Sequence, residues 1–153
     1  MAEDSRAELL VQNVITTLEG LGSGDLFTTV ERKKLGLDDL DNVATTQMPY
    51  CAVTSGLPDA EPKRSGRTVA VVDKFQSTLT ITLTVYGLDN VTPDATILSM
   101  VDDMWSGLFA DPSRGGLALS TTLLPELETD ILDPYYVFAV DVEIVYVHTR
   151  AGI

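Results

Sequence analysis

The sequence predicts an α+β domain: a mostly antiparallel sheet of four to six strands with two amphipathic helices packed on one face. Three observations carry that expectation. Apolar residues recur at helical spacing in two stretches, one after Ser5 and one after Thr92. A two-residue alternation on β-formers runs through Thr78 to Tyr86, and an amphipathic strand closes the chain at Tyr135 to His148. Runs of strands are split by single helices, the order of an α+β fold. At 153 residues and 44% hydrophobic composition, residues 1–153 suit one domain. Such a domain buries roughly 70% of its unfolded surface and needs neither disulfide nor metal for a core.

Taken in order, Ser5 and Glu8 form an S-x-x-E capping-box pattern. Leu10, Val14, Leu18 and Leu21 then share a helical face, which Leu9, Val11 and Ile15 widen. Gly20, Gly22 and Gly24 stop the helix. A phosphate-cradling glycine loop would follow a strand, whereas this run follows a helix. Leu26 to Lys33 reads as a strand ending in Arg32-Lys33-Lys34. The acidic turn Asp38 to Asn42 lacks the register and distal glutamate of a calcium loop, and reads as a solvated connection. Met48 to Val53 is a short strand entered through Pro49, with Cys51 inside it as a small buried residue.

Gly56 to Arg67 is polar, unperiodic and proline-bearing, and is expected as a mobile loop carrying Lys63, Arg64 and Arg67. Val69 to Val72 precede the alternating strand. Either they pair with it through a turn at Asp73 to Ser77, or Thr68 to Tyr86 is one long strand. Thr92 is the expected N-cap of the second helix, with Pro93 at its first position and Asp94 on the dipole. Ile97, Val101, Met104, Trp105 and Leu108 form its predicted buried stripe, Asp102 and Asp103 face away, and the helix ends near Gly107. Asp111 to Gly116 is a turn-rich loop. Leu119 to Thr129 is a strand that Pro125 confines to a sheet edge. In the closing strand Phe138, Val140, Val142, Ile144 and Tyr146 share one face; Ala139, Asp141, Glu143, Val145 and Val147 share the other.

Charge excludes one class of partner. Ten Lys and Arg against twenty-three Asp and Glu give a net charge of −13, which repels a polyanion. Two readings fit: an acidic surface that keeps a self-associating protein soluble, or one beside which DNA slides without sticking. A DNA mimic would need carboxylates in rows at phosphate spacing, and these are scattered through turns and loops. No apolar run reaches the ~20 residues of a membrane span. The first residues lack the basic and apolar regions of a secretory signal, and the lone cysteine fits a reducing compartment.

No catalytic constellation emerges. The one histidine, His148, has no nucleophile elbow around it, and one Cys with one His cannot complete a zinc site. Asp102 and Asp103 diverge as helix neighbours; Asp141 and Glu143 share a strand face without an accompanying motif. The expectation is no enzyme, no cofactor and no metal.

Length points to partners instead. A domain of this size is ~40 Å across. Unbroken, Tyr135 to His148 would span about 45 Å and Thr68 to Tyr86 about 60 Å. Each is either broken by a bulge or turn, or extended as an arm that another molecule covers. The face bearing Asp141, Glu143, Val145 and Val147 mixes apolar and acidic residues, as a surface partly buried by a neighbour would.

The whole plan resembles the tail-terminator family of long-tailed bacteriophages, the lambda-like minor tail or tail-completion proteins. The likeness lies in the N-terminal helix Ser5 to Leu18, the Pro-Tyr-Cys-Ala-Val strand at Pro49 to Val53 and the basic loop Lys63 to Arg67. It continues through the Thr-rich strand Thr78 to Tyr86, the helix Pro93 to Leu108, the Asp-Pro-Ser-Arg-Gly-Gly-Leu turn at Asp111 to Leu117 and the strand Phe138 to Val147. The resemblance implies a virion structural protein without chemistry. It implies a homo-oligomeric ring, usually a hexamer, on the head-proximal end of the tail. That ring meets the tail-tube protein and a head-completion or neck protein, passes DNA through its lumen without specific binding, and assembles in the host cytoplasm. Lys63, Arg64 and Arg67 become candidate contacts with an acidic tube or neck partner, alongside Asp141, Glu143, Val145 and Val147. Other phage neck or head-tail connectors, and a small-ligand-binding or enzymatic α+β domain, are the alternatives.

Overall fold

The computed structural model describes residues 5–56, 59–63 and 74–149. Its elements are α1 (Arg6–Gly20), β1 (Thr29–Arg32), β2 (Tyr50–Ser55), β3 (Asp59–Lys63), β4 (Lys74–Leu88), α2 (Pro93–Phe109), β5 (Ser120–Leu132) and β6 (Tyr135–Thr149). Six strands form one sheet in the order β1-β2-β4-β6-β5, with β3 pairing β4 on the edge that β2 also uses. Only the β1–β2 pair is parallel. The fold is α+β, as the order of elements predicts.

Alternation along the strands decides which face is covered. Leu79, Ile81, Leu83 and Val85 of β4 and Phe138, Val140, Val142, Ile144 and Tyr146 of β6 point to one side. There Leu10, Val11, Val14 and Leu18 of α1 and Ile97, Met100, Met104 and Leu108 of α2 pack on them. Both helices therefore lie on one face, α1 against β1 and α2 against β5 and β6. Among the described residues, the opposite face is covered at one end. Segment 33–48 lays Leu35 and Val43 over Tyr50, Ala52, Tyr86 and Val137. One phenol fastens it, Tyr86 donating to the Gly36 carbonyl, while Tyr50 donates to Glu31 Oε2 of β1 at 2.7 Å.

Helix ends follow local chemistry. Ser5 Oγ accepts from the Glu8 amide at 3.1 Å. The Glu8 carboxylate binds Arg32 of β1 and Gln12 of its own helix. Its carboxyl is held below the usual glutamate value chiefly by the Arg32 hydrogen bond. Beyond α1, Gly22 and Gly24 take φ values of +61° and +88°, the left-handed region that stops a helix.

The α2 cap corrects the sequence expectation. Thr92 occupies the N-cap position but its side chain makes no cap hydrogen bond. Asp89 instead braces the turn before the helix, accepting from the Val91 amide at 2.9 Å and the Thr92 amide at 3.0 Å, and holds the first helical turn through the Thr96 hydroxyl. After α2, Asp111 accepts from Ser113 Oγ at 2.7 Å and the Gly115 amide at 2.8 Å. The Thr96 hydroxyl foremost holds Asp89, and the Ser113 hydroxyl foremost holds Asp111, below the ordinary aspartate value of 3.8. The unfolded chain takes up these protons at that ordinary value, while the folded chain resists them. Their stabilisation is therefore complete above about pH 5 and is lost as pH falls through the lower folded values. The double variant Asp89→Asn, Asp111→Asn is expected to melt earlier than the parent at neutral pH and to lose less on acidification. Thermal melts across the acid range check this; parallel pH slopes for the two proteins would contradict it.

The sheet corrects one further reading and bears on two that the sequence leaves open. Asp59–Lys63, expected within a loop, is strand β3, held by β4 from Asp59↔Thr78 to Lys63↔Lys74. The segment expected as a turn, Asp73 to Ser77, is strand from Lys74 onward; Val69 to Val72 lie outside the described residues. Finally, β4 and β6 carry no bulge: fifteen residues pair without a register shift from Lys74↔Thr149 to Leu88↔Tyr135. At ~3.3 Å per residue the pair is about 50 Å long. β3, the start of β4 and the end of β6 form one end of that pair, where Ser77 and Tyr146 are buried and Arg6 of α1 reaches the Val147 carbonyl. The register shift falls in edge strand β5, between Leu123 and Leu127, around Pro125.

Candidate interaction surfaces

The open half of the sheet is the first surface. On the face away from the helices, Asp141, Glu143, Val145 and Val147 stand in one row along β6, as their alternation predicts, and all four are half-buried. Their neighbours are hydroxyl-rich. Thr82 lies opposite Asp141, Thr80 and Thr122 flank Glu143, Thr78 and Ser120 flank Val145, and Gln76 lies opposite Val147. Thr82 Oγ1 donates to Asp141 Oδ1 at 2.7 Å, which orients that carboxylate within the sheet face. The surface is polar with an apolar end at Val145 and Val147.

The basic segment adjoins that apolar end. Lys63 closes β3, and its register partner Lys74 pairs in turn with Thr149, so two lysines occupy neighbouring positions at the tip of the strands. Arg64 and Arg67 lie outside the described residues. Thus the β6 row and Lys63 belong to the same end of the same sheet. Arg6 of α1 donates to the Val147 carbonyl at 3.2 Å, tying that end of β6 to the first helical turn.

A second surface was not foreseen. The expected buried stripe of α2 included Trp105 and Val101. The buried residues are instead Ile97, Met100, Met104 and Leu108, and Val101 is half-buried. Trp105 is 39% exposed and belongs to another row, with Leu98 at 62% and Phe109 at 50%. The Trp105 and Phe109 rings stack at 5.3 Å and 12°. Asp102 and Asp103 are exposed, as expected, and Asp102 stands within the row's arc. The spacing 98, 105, 109 was a visible signal; the apolar arc of this helix is wider than one packed face requires.

A third residue escaped the sequence reading. Arg114 sits in the Asp111 to Leu117 turn with φ of 50° and is only 1% exposed. Its guanidinium donates to Asn13 Oδ1 at 3.3 Å and Thr17 Oγ1 at 3.2 Å on α1, and to the Leu108 and Asp111 carbonyls at the end of α2. Burial lowers its pKa, and the Asp111 charge opposes that shift. It is a structural cation that joins both helices to the turn.

Groups with chemical potential are dispersed. Cys51 is fully buried and burial alone pushes its thiol up, away from the reactive thiolate. Among the described residues, no three His, Cys, Asp or Glu side chains converge as a metal site would require. No helix among the described residues is long and apolar enough to cross a membrane.

No protein-family model matches the chain, and no curated protein matches it. Among solved structures, a chain from the virion of a native gene transfer agent particle is similar in outline. The TM-score is 0.48 at 10% sequence identity, covering 94% of this chain and 96% of that one. At that score and identity the likeness establishes neither a family nor a function.

Proposed function

We propose that this chain is a virion structural protein of the tail-terminator type. Copies assemble as a ring, taken as six subunits by resemblance, on the head-proximal end of a phage tail tube. The ring stops tube growth, offers a joining surface to a head-completion or neck protein, and lets DNA pass through its lumen without specific binding. The protein performs no chemistry and uses no cofactor.

One observation carries the reading: the unbroken fifteen-residue β4–β6 pair, about 50 Å long, with the short strand β3 added at its lysine-bearing end. Among the described residues strand β3 pairs with β4 alone, and an edge left unpaired is a template for a strand of another molecule. The half-buried row of Asp141, Glu143, Val145 and Val147 adds a mixed acidic and apolar face suited to a neighbour. Net charge of −13 suits a channel through which a polyanion must slide.

Disrupting the protein in its phage is the test. Overlong tail tubes are expected; full-length tails that fail to join heads would favour a neck connector instead. Reversing Lys63, Arg64 and Arg67 to glutamate in the intact phage is expected to produce the same overlong tubes while leaving the purified protein's melting temperature unchanged. Normal tail lengths in that variant would remove the basic segment from the partner contact.

A further inference from the structure

We infer that the α2–β5 flank of this protein docks the β1 flank of a second copy, in a repeating head-to-tail contact. The inference rests on the ring reading and names the surfaces that would build the ring.

Sheet order sets the geometry. β1 and β5 stand at the two ends of the main strand order, and α1 and α2 lie over the corresponding halves. Residues on a helix advance by ~100°, so Gly107 lies about half a turn from Leu98, Trp105 and Phe109. A Cβ at Gly107 would meet the Leu21 side chain, so that side of α2 abuts the end of α1. The Leu98, Trp105 and Phe109 row therefore faces outward, away from α1, on the β5 flank. Leu119, entering β5, is 58% exposed on that flank as well.

Charge then selects the occupant. The apolar row is set between exposed Asp94 and Asp102, with exposed Asp103 next in the chain. A second apolar surface of the same sign would be repelled; a cationic one would not. The opposite flank of this chain supplies it. Arg32, Lys33 and Lys34 are its only run of three cations, they are exposed, and they leave β1 at the sheet edge. Leu35 beyond them turns inward to the small cluster over Tyr50 and Tyr86, and Leu37 packs half-buried against it, so the cations are what this flank presents. Arg32 is already paired with Glu8, which leaves Lys33 and Lys34 to face the aspartates of the next copy. Both halves of the contact reside on one chain and face opposite ways. Such a heterologous contact repeats, and it closes into a ring when the rotation per step divides a full turn. An exposed, pre-stacked Trp105–Phe109 pair is the type of anchor that dominates interface energy.

Trp105 is the only tryptophan, so its emission reports burial of the proposed contact directly. Sedimentation velocity of the purified full chain, from micromolar to millimolar concentration, is expected to show self-association accompanied by a blue shift of that emission. Leu98→Glu with Phe109→Glu replaces two exposed side chains. It is expected to raise the dissociation constant at least about thirty-fold without lowering the melting temperature. Asp102→Lys with Asp103→Lys, and separately Lys33→Glu with Lys34→Glu, are each expected to abolish association alone. Mixed together, the two reversed proteins are expected to associate again, because each then offers the charge the other lacks. Association indifferent to all these changes would overturn the assignment of the flanks while leaving a ring built through other surfaces standing. A chain that stays monomeric throughout the range, with Trp105 emission unchanged, would also overturn the assignment; tube-end imaging would then judge the ring reading independently.

Discussion

Replacing Arg114 by alanine is expected to cost about 3 kcal/mol of folding stability, because a buried guanidinium with several acceptors would be removed from among them. Asn13 and Thr17 of α1 and the carbonyls of Leu108 and Asp111 would lose their common donor. The two carbonyls sit where α2 ends, at the negative pole of its dipole, so the positive charge is also well placed. Nε is the one buried side-chain polar atom without a partner among the described residues, which offsets part of the gain. Arg114→Lys is expected to recover only a fraction, since an ammonium cannot reach both helices and the turn from one point. Arg114→Gly separates side chain from backbone. It loses the guanidinium too, but it relieves the φ of 50°, and is expected to be less damaging than alanine. Urea unfolding measures all three. A loss below about 1 kcal/mol for alanine would mean that the guanidinium's contacts are not the clamp described.

Gly87→Ala is expected to destabilise by about 2–3 kcal/mol through overpacking. Gly87 pairs with Tyr136 across β4 and β6, and a Cβ at residue 87 would lie 2.1 Å from Tyr136 Cζ and Oη. The ring has nowhere to go. It is 1% exposed, stacks against Phe138 at 6.3 Å, and its hydroxyl donates to Met100 Sδ at 3.1 Å on α2. Moving it would break the link between the sheet and α2. The cost should shrink when Tyr136 is first cut to leucine, because the two residues compete for one volume. Chemical unfolding of the double-mutant cycle checks this; equal costs in both backgrounds would contradict the steric explanation.

Much of this fold was legible because periodicity is a local property. The threonine alternation of β4, the two-faced pattern of β6 and the glycine-stopped α1 each announce their element in the order of residues. β3 was not legible. Asp59-Ala60-Glu61-Pro62-Lys63 has no apolar alternation, and its strand character comes from pairing with β4, a contact made through the chain's return. Thr92 holds the N-cap position as its place before Pro93 predicts, but the bracing by Asp89 was not legible, because it acts three residues earlier through a side-chain turn. For Trp105, the helix carries more apolar residues than its packing partners cover, and no local rule says which half is left open. The β6 row of Asp141 to Val147 followed from alternation alone. The placement of Lys63 beside it did not, since that required the β3–β4 register.

The central claim is that this polypeptide ends a tube by covering it with copies of itself. Purified protein added to polymerising tail-tube subunits, with tube ends imaged by electron microscopy, tests that claim most directly. Density of this protein at one end of each tube and a halt in growth are the predicted result. Tubes that keep lengthening with bare ends, at protein concentrations well above that of the ends, would contradict it.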